Sequence, residues 1–263
     1  MITSLANVRV KQIVQWQTKA KERRKDRVFL AEGIKMFEEA PNESILEVYL
    51  SQDVEEKLKG QSGIRGKLNH TGYEIVSSEV FAKMSDTQSP QGILTVLKQP
   101  EYQLEELLKQ PNPLFVVLEN LQDPGNLGTI MRTGEGAGIT GVIMSDQTVD
   151  IFNPKTIRAT MGSIYRVPFL YVNNLAETLQ FLHENGVHTY AAHLKGETYY
   201  DTFCFKEPTA FLIGNEGNGL QKATADMAES YLKIPMEGQL ESLNAAVATA
   251  LLMYEAHRQR SAR

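Results

Sequence analysis

The sequence holds one cysteine in 263 residues, Cys204, so no internal disulfide can brace the fold. Within Thr202-Phe203-Cys204-Phe205, that thiol reads as a small buried core residue, because no neighbouring histidine or basic cluster would activate it. A lone thiol fits a reducing, cytoplasmic setting. There is no signal-peptide apolar segment and no run long enough to span a bilayer, so no membrane role is expected. Of five histidines, His183, His188 and His193 stand five apart. That spacing shares no helix face, and no metal site is expected. An excess of positive charge is also missing: the formal net charge is −5. The average conceals an asymmetry. Residues 1–27 carry eight basic and two acidic side chains, a net of +6, which leaves −11 on the remainder. A basic arm on an acidic body (Lys19, Lys21, Arg23, Arg24, Lys25 and Arg27 are its densest part) points to a polyanion contacted locally. A solvated surface helix accounts equally for the same charges.

With 42% apolar residues, the chain can bury a real core, as one large domain or two ordinary ones. Residues 7–25 read as one helix with Val10, Ile13, Val14 and Trp16 on a partly apolar face. Strand-like runs at 28–31, 45–50, 73–76 and 93–97 then alternate with helical stretches at 34–40, 54–59 and 78–84. That pattern describes a small α/β domain over residues 1–98. Residues 99–112 are polar, contain Pro100 and Pro111, and hold a short helix at 104–108; they read as a linker. A second α/β pattern occupies 113–263. Its runs 114–118 and 209–214 are nearly continuous in apolar residues, as buried parallel strands are. Further strands are expected at 141–144, 188–192 and 231–235, and helices at 127–137, 154–159, 175–185 and 243–259.

Three loops in this half carry the candidate chemistry. Asp123-Pro124-Gly125-Asn126-Leu127-Gly128 joins a buried strand to a helix whose first amides would face an anion. Arg132 falls about one turn into that helix and would face the strand ends, where α/β proteins bind ligands. The pattern is not a dinucleotide fingerprint; an ordinary tight turn with a surface arginine is its plain alternative. Gly214-Asn215-Glu216-Gly217-Asn218-Gly219 places three glycines directly after a buried strand, more than a simple turn needs. Ile234-Pro235-Met236 leads to Ser242-Leu243-Asn244 and a helix of small residues. Ser242 is a natural N-cap there, whereas Asn244 has no such structural reason.

Together these loops resemble the three signature motifs of the SPOUT methyltransferase superfamily, specifically its TrmH (SpoU) branch of RNA ribose 2′-O-methyltransferases. The first matches at Asn126, Gly128 and Arg132, the second at Gly214, Asn215, Glu216, Gly217 and Gly219, and the third at Pro235, Ser242, Leu243 and Asn244. The stretch 153–168 is similar to the family's middle region, and the likeness covers about residues 113–260. The N-terminal part, with Phe29-Leu30-Ala31-Glu32-Gly33, resembles the ribosomal-protein-like α/β domain that many members carry for substrate binding. Ala245-Ala246 departs from the Val-Ser common in relatives, without a change of size that would disturb the site.

The resemblance implies an α/β fold with a parallel-sheet SPOUT domain closed by a deep trefoil knot, which periodicity cannot reveal. It implies S-adenosylmethionine as methyl donor, held mostly by backbone around Leu212, Gly214, Asn215, Glu216, Gly217, Ile234, Met236 and Leu243, with the glycines giving clearance. Arg132 is the first candidate for catalysis. It would hold the phosphate beside the target ribose and stabilise charge on the hydroxyl oxygen. Asn126 and Asn244 would orient Arg132 and the ribose, Glu216 would pair with Arg132 or a substrate hydroxyl, and Ser242 would cap its helix and touch substrate. The implied partners are RNA, ribosomal before transfer RNA, met by residues 19–27, and a second copy of the chain forming a homodimer. A non-catalytic RNA-binding protein that keeps the fold is the alternative from another class.

Overall fold

The computed structural model describes residues 1–58, 62–239 and 242–261. Lys59, at the end of the helix expected at 54–59, and Glu241, just ahead of Ser242, lie outside the described residues. The chain divides into two compact units. One comprises 1–100 together with 150–165, and the other 101–149 with residue 166 onward. The segment 150–165, kept with the larger domain on sequence, therefore packs within the first unit.

The first unit begins with α1 (Val8–Thr18) and α2 (Ala20–Asp26), where the periodicity predicts one helix. Lys19 is extended between them (φ −122°, ψ 110°). The break lets Arg23 turn back and satisfy the end of α1, whose last carbonyls have no helical partner. Its guanidinium donates to the carbonyl oxygens of Trp16 (2.5 Å) and Gln17 (3.1 Å) and pairs with Asp150 (2.5 Å). There follow β1 (Val28–Glu32), α3 (Ile34–Glu39), β2 (Ile45–Ser51), α4 (Gln52–Leu58), α5 (Ser62–Thr71), β3 (Glu74–Val76), α6 (Ser78–Met84) and β4 (Ile93–Lys98). The sheet order is β1-β4-β2-β3, antiparallel except for β2–β3. Strand alternation splits its side chains. Leu30, Tyr49, Leu94 and Val96 pack with Ile13, Val80, Phe81 and Met84, while Val48, Leu50 and Ile93 pack with Phe37, Leu58, Ile64 and Leu68. Helix α5 has no strong sequence signal. It contains Gly63 and Gly66, each costing about 1 kcal/mol of helix propensity, and only Ile64 and Leu68 are buried. Tertiary burial of that pair outweighs the local preference.

The second unit holds α7 (Leu104–Leu108), β5 (Leu114–Leu118), α8 (Pro124–Ala137) and β6 (Gly141–Ser145). After α9 (Pro154–Thr160), which belongs to the first unit, come β7 (Phe169–Val172), α10 (Leu175–Glu184), β8 (His188–Ala192), β9 (Thr198–Tyr199), β10 (Thr209–Ile213), α11 (Lys222–Ala225), β11 (Ser230–Lys233) and α12 (Ala245–Ser261). The seven strands are all parallel, in the order β7-β6-β5-β10-β8-β11-β9. β5 and β10 are neighbours at its centre and buried throughout, as a composition apolar at every position but Thr209 requires. Cys204 is exposed rather than buried. Its neighbours Phe203 and Phe205 both turn inward onto Tyr190, which leaves position 204 facing out. No helix among the described residues is long and apolar enough to cross a membrane. No group of three or more His, Cys, Asp or Glu among them could hold a metal ion.

Candidate active site

Helix α8 starts at Pro124, three residues earlier than the apolar pattern indicates. Asp123 caps it, accepting from the Asn126 N–H (2.8 Å), and Pro124 occupies the first turn, where a missing N–H costs nothing. Asn126 is thus a first-turn helical residue, and its side chain points to Glu216. The Glu216 carboxylate collects three donors: the Gln122 N–H (3.0 Å), the Asp123 N–H (2.9 Å) and Asn126 Nδ2 (3.0 Å). Partial burial works against its ionisation, but the donors from Gln122, Asn126 and Asp123 together outweigh that and hold the carboxyl below its usual pKa.

The carboxylate fixes the orientation of two amides in turn. A carboxylate only accepts, so Asn126 must present its NH₂, which leaves its Oδ1 to accept from Asn244 Nδ2 (2.9 Å). Asn244 must then turn its own Oδ1 to the first turn of α12, where it accepts from the N–H groups of Ala246 (2.9 Å) and Val247 (3.3 Å). Asn244 is therefore the N-cap of α12, the role expected of Ser242. Ser242 is exposed two residues upstream. One chain of hydrogen bonds thus links all three loops: α12 start, Asn244, Asn126, Glu216, α8 start.

The loop after β10 is tied to itself. Asn215 and Gly219 exchange backbone bonds (3.1 and 2.9 Å), and Asn215 Oδ1 accepts from the N–H groups of Gly217 (2.8 Å) and Asn218 (3.2 Å). This gives two glycines reasons other than ligand clearance. A Cβ on Gly214 would lie 2.0 Å from the Gly219 carbonyl carbon, and Gly219 has φ +67°, a region costly for side chains. Gly217 has no such constraint. Asn215 Nδ2 donates to the Asn120 carbonyl (2.9 Å), anchoring the loop's entry to the end of β5. Leu212 is sealed in β10 and can offer no side chain, whereas Ile234, Met236 and Leu243 are half-buried around the third loop.

The structure does not bring Arg132 to Glu216, whose oxygens are engaged by the start of α8, nor to Asn126 or Asn244, which hold each other. Because α8 begins at Pro124, Arg132 is more than two turns in, not one. It stands six residues beyond Asn126, about 9 Å along the axis and about 120° around it. Its side chain is exposed on the face of Thr129, three residues before it. Sequence reasoning missed Gln122 and Asp123 as donors to Glu216. The Asp-Pro pair, cap followed by proline at the first helical position, is the signal that would have set the helix start correctly.

In the first unit Lys19, Lys21, Arg24, Lys25 and Arg27 are exposed. Arg23 is a correction to the basic arm. It is 3% exposed and committed to Trp16, Gln17 and Asp150, so it is an internal strut.

Residues 113–254 match the SpoU rRNA Methylase family, and residues 7–95 match the MRM3-like substrate binding domain. The chain is 35% identical over 256 residues to the 23S rRNA (guanosine(2553)-2′-O)-methyltransferase RlmP of Bacillus subtilis, covering 96% of this chain and 97% of that one. An AdoMet-bound rRNA methyltransferase from Sinorhizobium meliloti superposes with a TM-score of 0.86 at 33% identity, over 98% of this chain and 97% of the other. The SpoU methyltransferase AviRb from Streptomyces viridochromogenes shares the fold at 24% identity, with a TM-score of 0.86 over 98% and 100% of the two chains. On this agreement of motif, fold and full-length similarity, the chain belongs to the SpoU rRNA methylase family.

Proposed function

We propose that this protein is an S-adenosylmethionine-dependent methyltransferase that modifies a ribose 2′-hydroxyl in RNA, ribosomal RNA in the first place. The observation that carries the reading is the Glu216–Asn126–Asn244 chain, which binds all three signature loops into one site beside the ends of parallel strands. Binding crevices of open α/β sheets lie there. The relatives named as rRNA methyltransferases and the donor-bound neighbour support substrate and cofactor. The residues present fit the donor: Ile234, Met236 and Leu243 offer apolar surface, and Gly214, Asn215, Glu216 and Gly217 offer backbone on a rigid loop. Leu212 contributes only through the wall it builds.

When bound, S-adenosylmethionine would supply the electrophilic methyl group. A guanidinium donates and does not accept, so the part of Arg132 is to hold the neighbouring phosphate and steady charge on the hydroxyl oxygen. Glu216, Asn126 and Asn244 keep the loops in register, and positioning of this kind supplies much of the rate of an in-line displacement. Ser242, exposed at the entrance to α12, is left to touch substrate.

The finer architecture belongs to the same reading. Residues 1–98 would hold RNA through the exposed basic arm, 99–112 link, and 113–263 form the methyltransferase domain. The deep trefoil knot is carried over from the family resemblance; in this chain α12 packs back onto α8, where a Cβ on Gly134 would sit 3.6 Å from Met253 Sδ. A homodimer is supported by an apolar stripe on α12, where Val247, Leu251 and Tyr254 are 49%, 37% and 48% exposed at i, i+4 and i+7. They line a groove of about 460 Å³ that Thr129 also borders, so Arg132 would stand at its rim. Sedimentation of the wild type against Val247→Glu and Leu251→Glu tests the dimer. A cytoplasmic setting goes with an RNA substrate and an unpaired cysteine.

The test of function is to incubate the protein and labelled donor with rRNA and tRNA from cells lacking it, then map the methylated atom. A 2′-O-methyl on rRNA is expected. Label on tRNA or on a base would redirect the substrate, and absence of donor binding by calorimetry would leave a non-catalytic RNA-binding protein.

A further inference from the structure

Two consecutive residues at the carboxyl end of β5 hold the two ends of loop 214–220. Asn120 has φ 56°, a left-handed conformation that asparagine tolerates. Its N–H donates to Ser145 Oγ (2.8 Å), and Ser145 Oγ donates in turn to Asn120 Oδ1 (2.9 Å). That turn presents the Asn120 carbonyl to Asn215 at the loop's entry. At the exit, Glu119 Oε2 accepts the Gln221 N–H (2.7 Å), and Glu119 Oε1 accepts the hydroxyl of Thr224.

Glu119 is only 5% exposed, and withdrawing a carboxylate from water is costly unless its lone pairs are filled. Its two donors lie at the start of α11, which has no side-chain cap of its own. A serine or aspartate at position 221 would satisfy that helix end without burying a charge. What the local cap could not do is tie the loop's exit to the central strand. Since Asn215 and Gly219 already lock the loop internally, it moves as one body, and its two tethers set the place of everything it carries, Glu216 included.

We propose that Glu119 is a positioning residue for methyl transfer: its buried carboxylate fixes loop 214–220 and thereby sets donor affinity while touching neither donor nor RNA. The proposal rests on the reading that this loop walls the donor site.

The test uses the full-length protein and its Glu119→Ala, Glu119→Gln and Thr224→Val variants. S-adenosylmethionine affinity is measured by calorimetry, RNA affinity by filter binding, and the melting temperature alongside. Loss of a charged hydrogen-bond pair predicts about tenfold weaker donor binding in Glu119→Ala, with RNA affinity within about twofold. Glu119→Gln rescues to within about threefold, because its amide oxygen still accepts from Gln221 while its NH₂ donates to the Thr224 oxygen. Thr224→Val loses about threefold and carries the test if the alanine variant does not fold. Donor affinity unchanged beside a lowered melting temperature would overturn the proposal, as would parallel losses for donor and RNA, or failure of glutamine to rescue. A wild-type protein that binds no S-adenosylmethionine overturns the underlying reading, and this proposal with it.

Discussion

Replacing Asn126 by aspartate converts one donor into one charge and changes little else. Asn126→Asp keeps the oxygen that accepts from Asn244 but places a second carboxylate oxygen where Nδ2 stood, 3.0 Å from Glu216 Oε1. Two unit charges at that distance repel by roughly 1.4 kcal/mol in bulk water and about 5.5 kcal/mol at an effective dielectric constant of 20. Glu216 is only partly withdrawn from solvent and Asn126 half-buried, so the true cost lies toward the smaller figure, about 2 kcal/mol. Loss of the hydrogen bond adds about 1 kcal/mol. The assembled site should therefore be disfavoured by about 3 kcal/mol at neutral pH, a loss of over a hundredfold. Asn126→Ala, which loses both side-chain hydrogen bonds but brings in no charge, should lose about 2 kcal/mol, about thirtyfold.

The pH profile separates charge from shape. In the native protein the Glu216 carboxyl is held below its usual 4.5. A depressed carboxylate contributes stability that is present above the ordinary value and lost as pH falls through the folded one. Native donor binding should accordingly stay level from about pH 7 to pH 5, so far as this group governs it. In Asn126→Asp the two carboxylates compete for one proton, which raises one of their pKa values. That proton restores an O–H···O bond, so the deficit should shrink as pH falls over the same span. Calorimetry with S-adenosylmethionine and single-turnover methyl transfer read it directly. Wild-type donor affinity in Asn126→Asp at neutral pH, or a deficit that does not shrink on acidification, would refute the reasoning.

Four further outcomes are expected. Arg132→Ala should abolish methyl transfer yet bind the donor nearly as the wild type does, since Arg132 stands apart from the Glu216 chain; undiminished turnover would remove its role. Replacing Lys21, Arg24 and Lys25 together by serine should weaken RNA binding and lower its salt slope by about one for each phosphate no longer neutralised, at unchanged melting temperature. Arg23→Ala should do the reverse: about 3 kcal/mol of stability lost through an unpaired Asp150 and exposed α1 carbonyls, with the salt slope kept. Gly66→Ala should raise the melting temperature by a few degrees, because a Cβ there meets nothing within 4 Å and alanine favours helix by about 1 kcal/mol.

The buried strands were legible because their physics is local. A central parallel strand is covered on both faces, so 114–118 and 210–213 are apolar throughout, and buried Thr209 at the start of β10 spends its hydroxyl on the Glu207 carbonyl. Helix α5 was not legible: its two glycines argue against it, and only packing against strands distant in sequence decides for it. The site divides along the same line. Glycine-rich loops and the Arg, Glu, Ser and Asn set could be read from the motifs. Which of them touch could not, since Asn126, Glu216 and Asn244 meet across 90 and 118 residues of chain. Arg23 shows the limit for charge: composition counts it with its basic neighbours, while burial against Asp150 takes it out of the surface.

The start of α8 shows how the partition of charge follows from these hydrogen bonds. A helix N-terminus beside an arginine reads in sequence as a place for a substrate anion. The protein supplies that anion itself. The Glu216 carboxylate sits on the Gln122 and Asp123 amides, and its lowered pKa keeps it charged across the neutral range. A phosphate brought to the same amides would meet a fixed negative charge. On the proposed function the substrate's charge is left to Arg132, displaced along and around the helix from those amides. Glu216→Gln tests the division. Its NH₂ would oppose a backbone N–H, so the loops should loosen and donor affinity fall. A phosphate at the amides would instead bind RNA more tightly once the carboxylate is gone, so tighter RNA binding in Glu216→Gln would show the helix N-terminus to be the phosphate site after all.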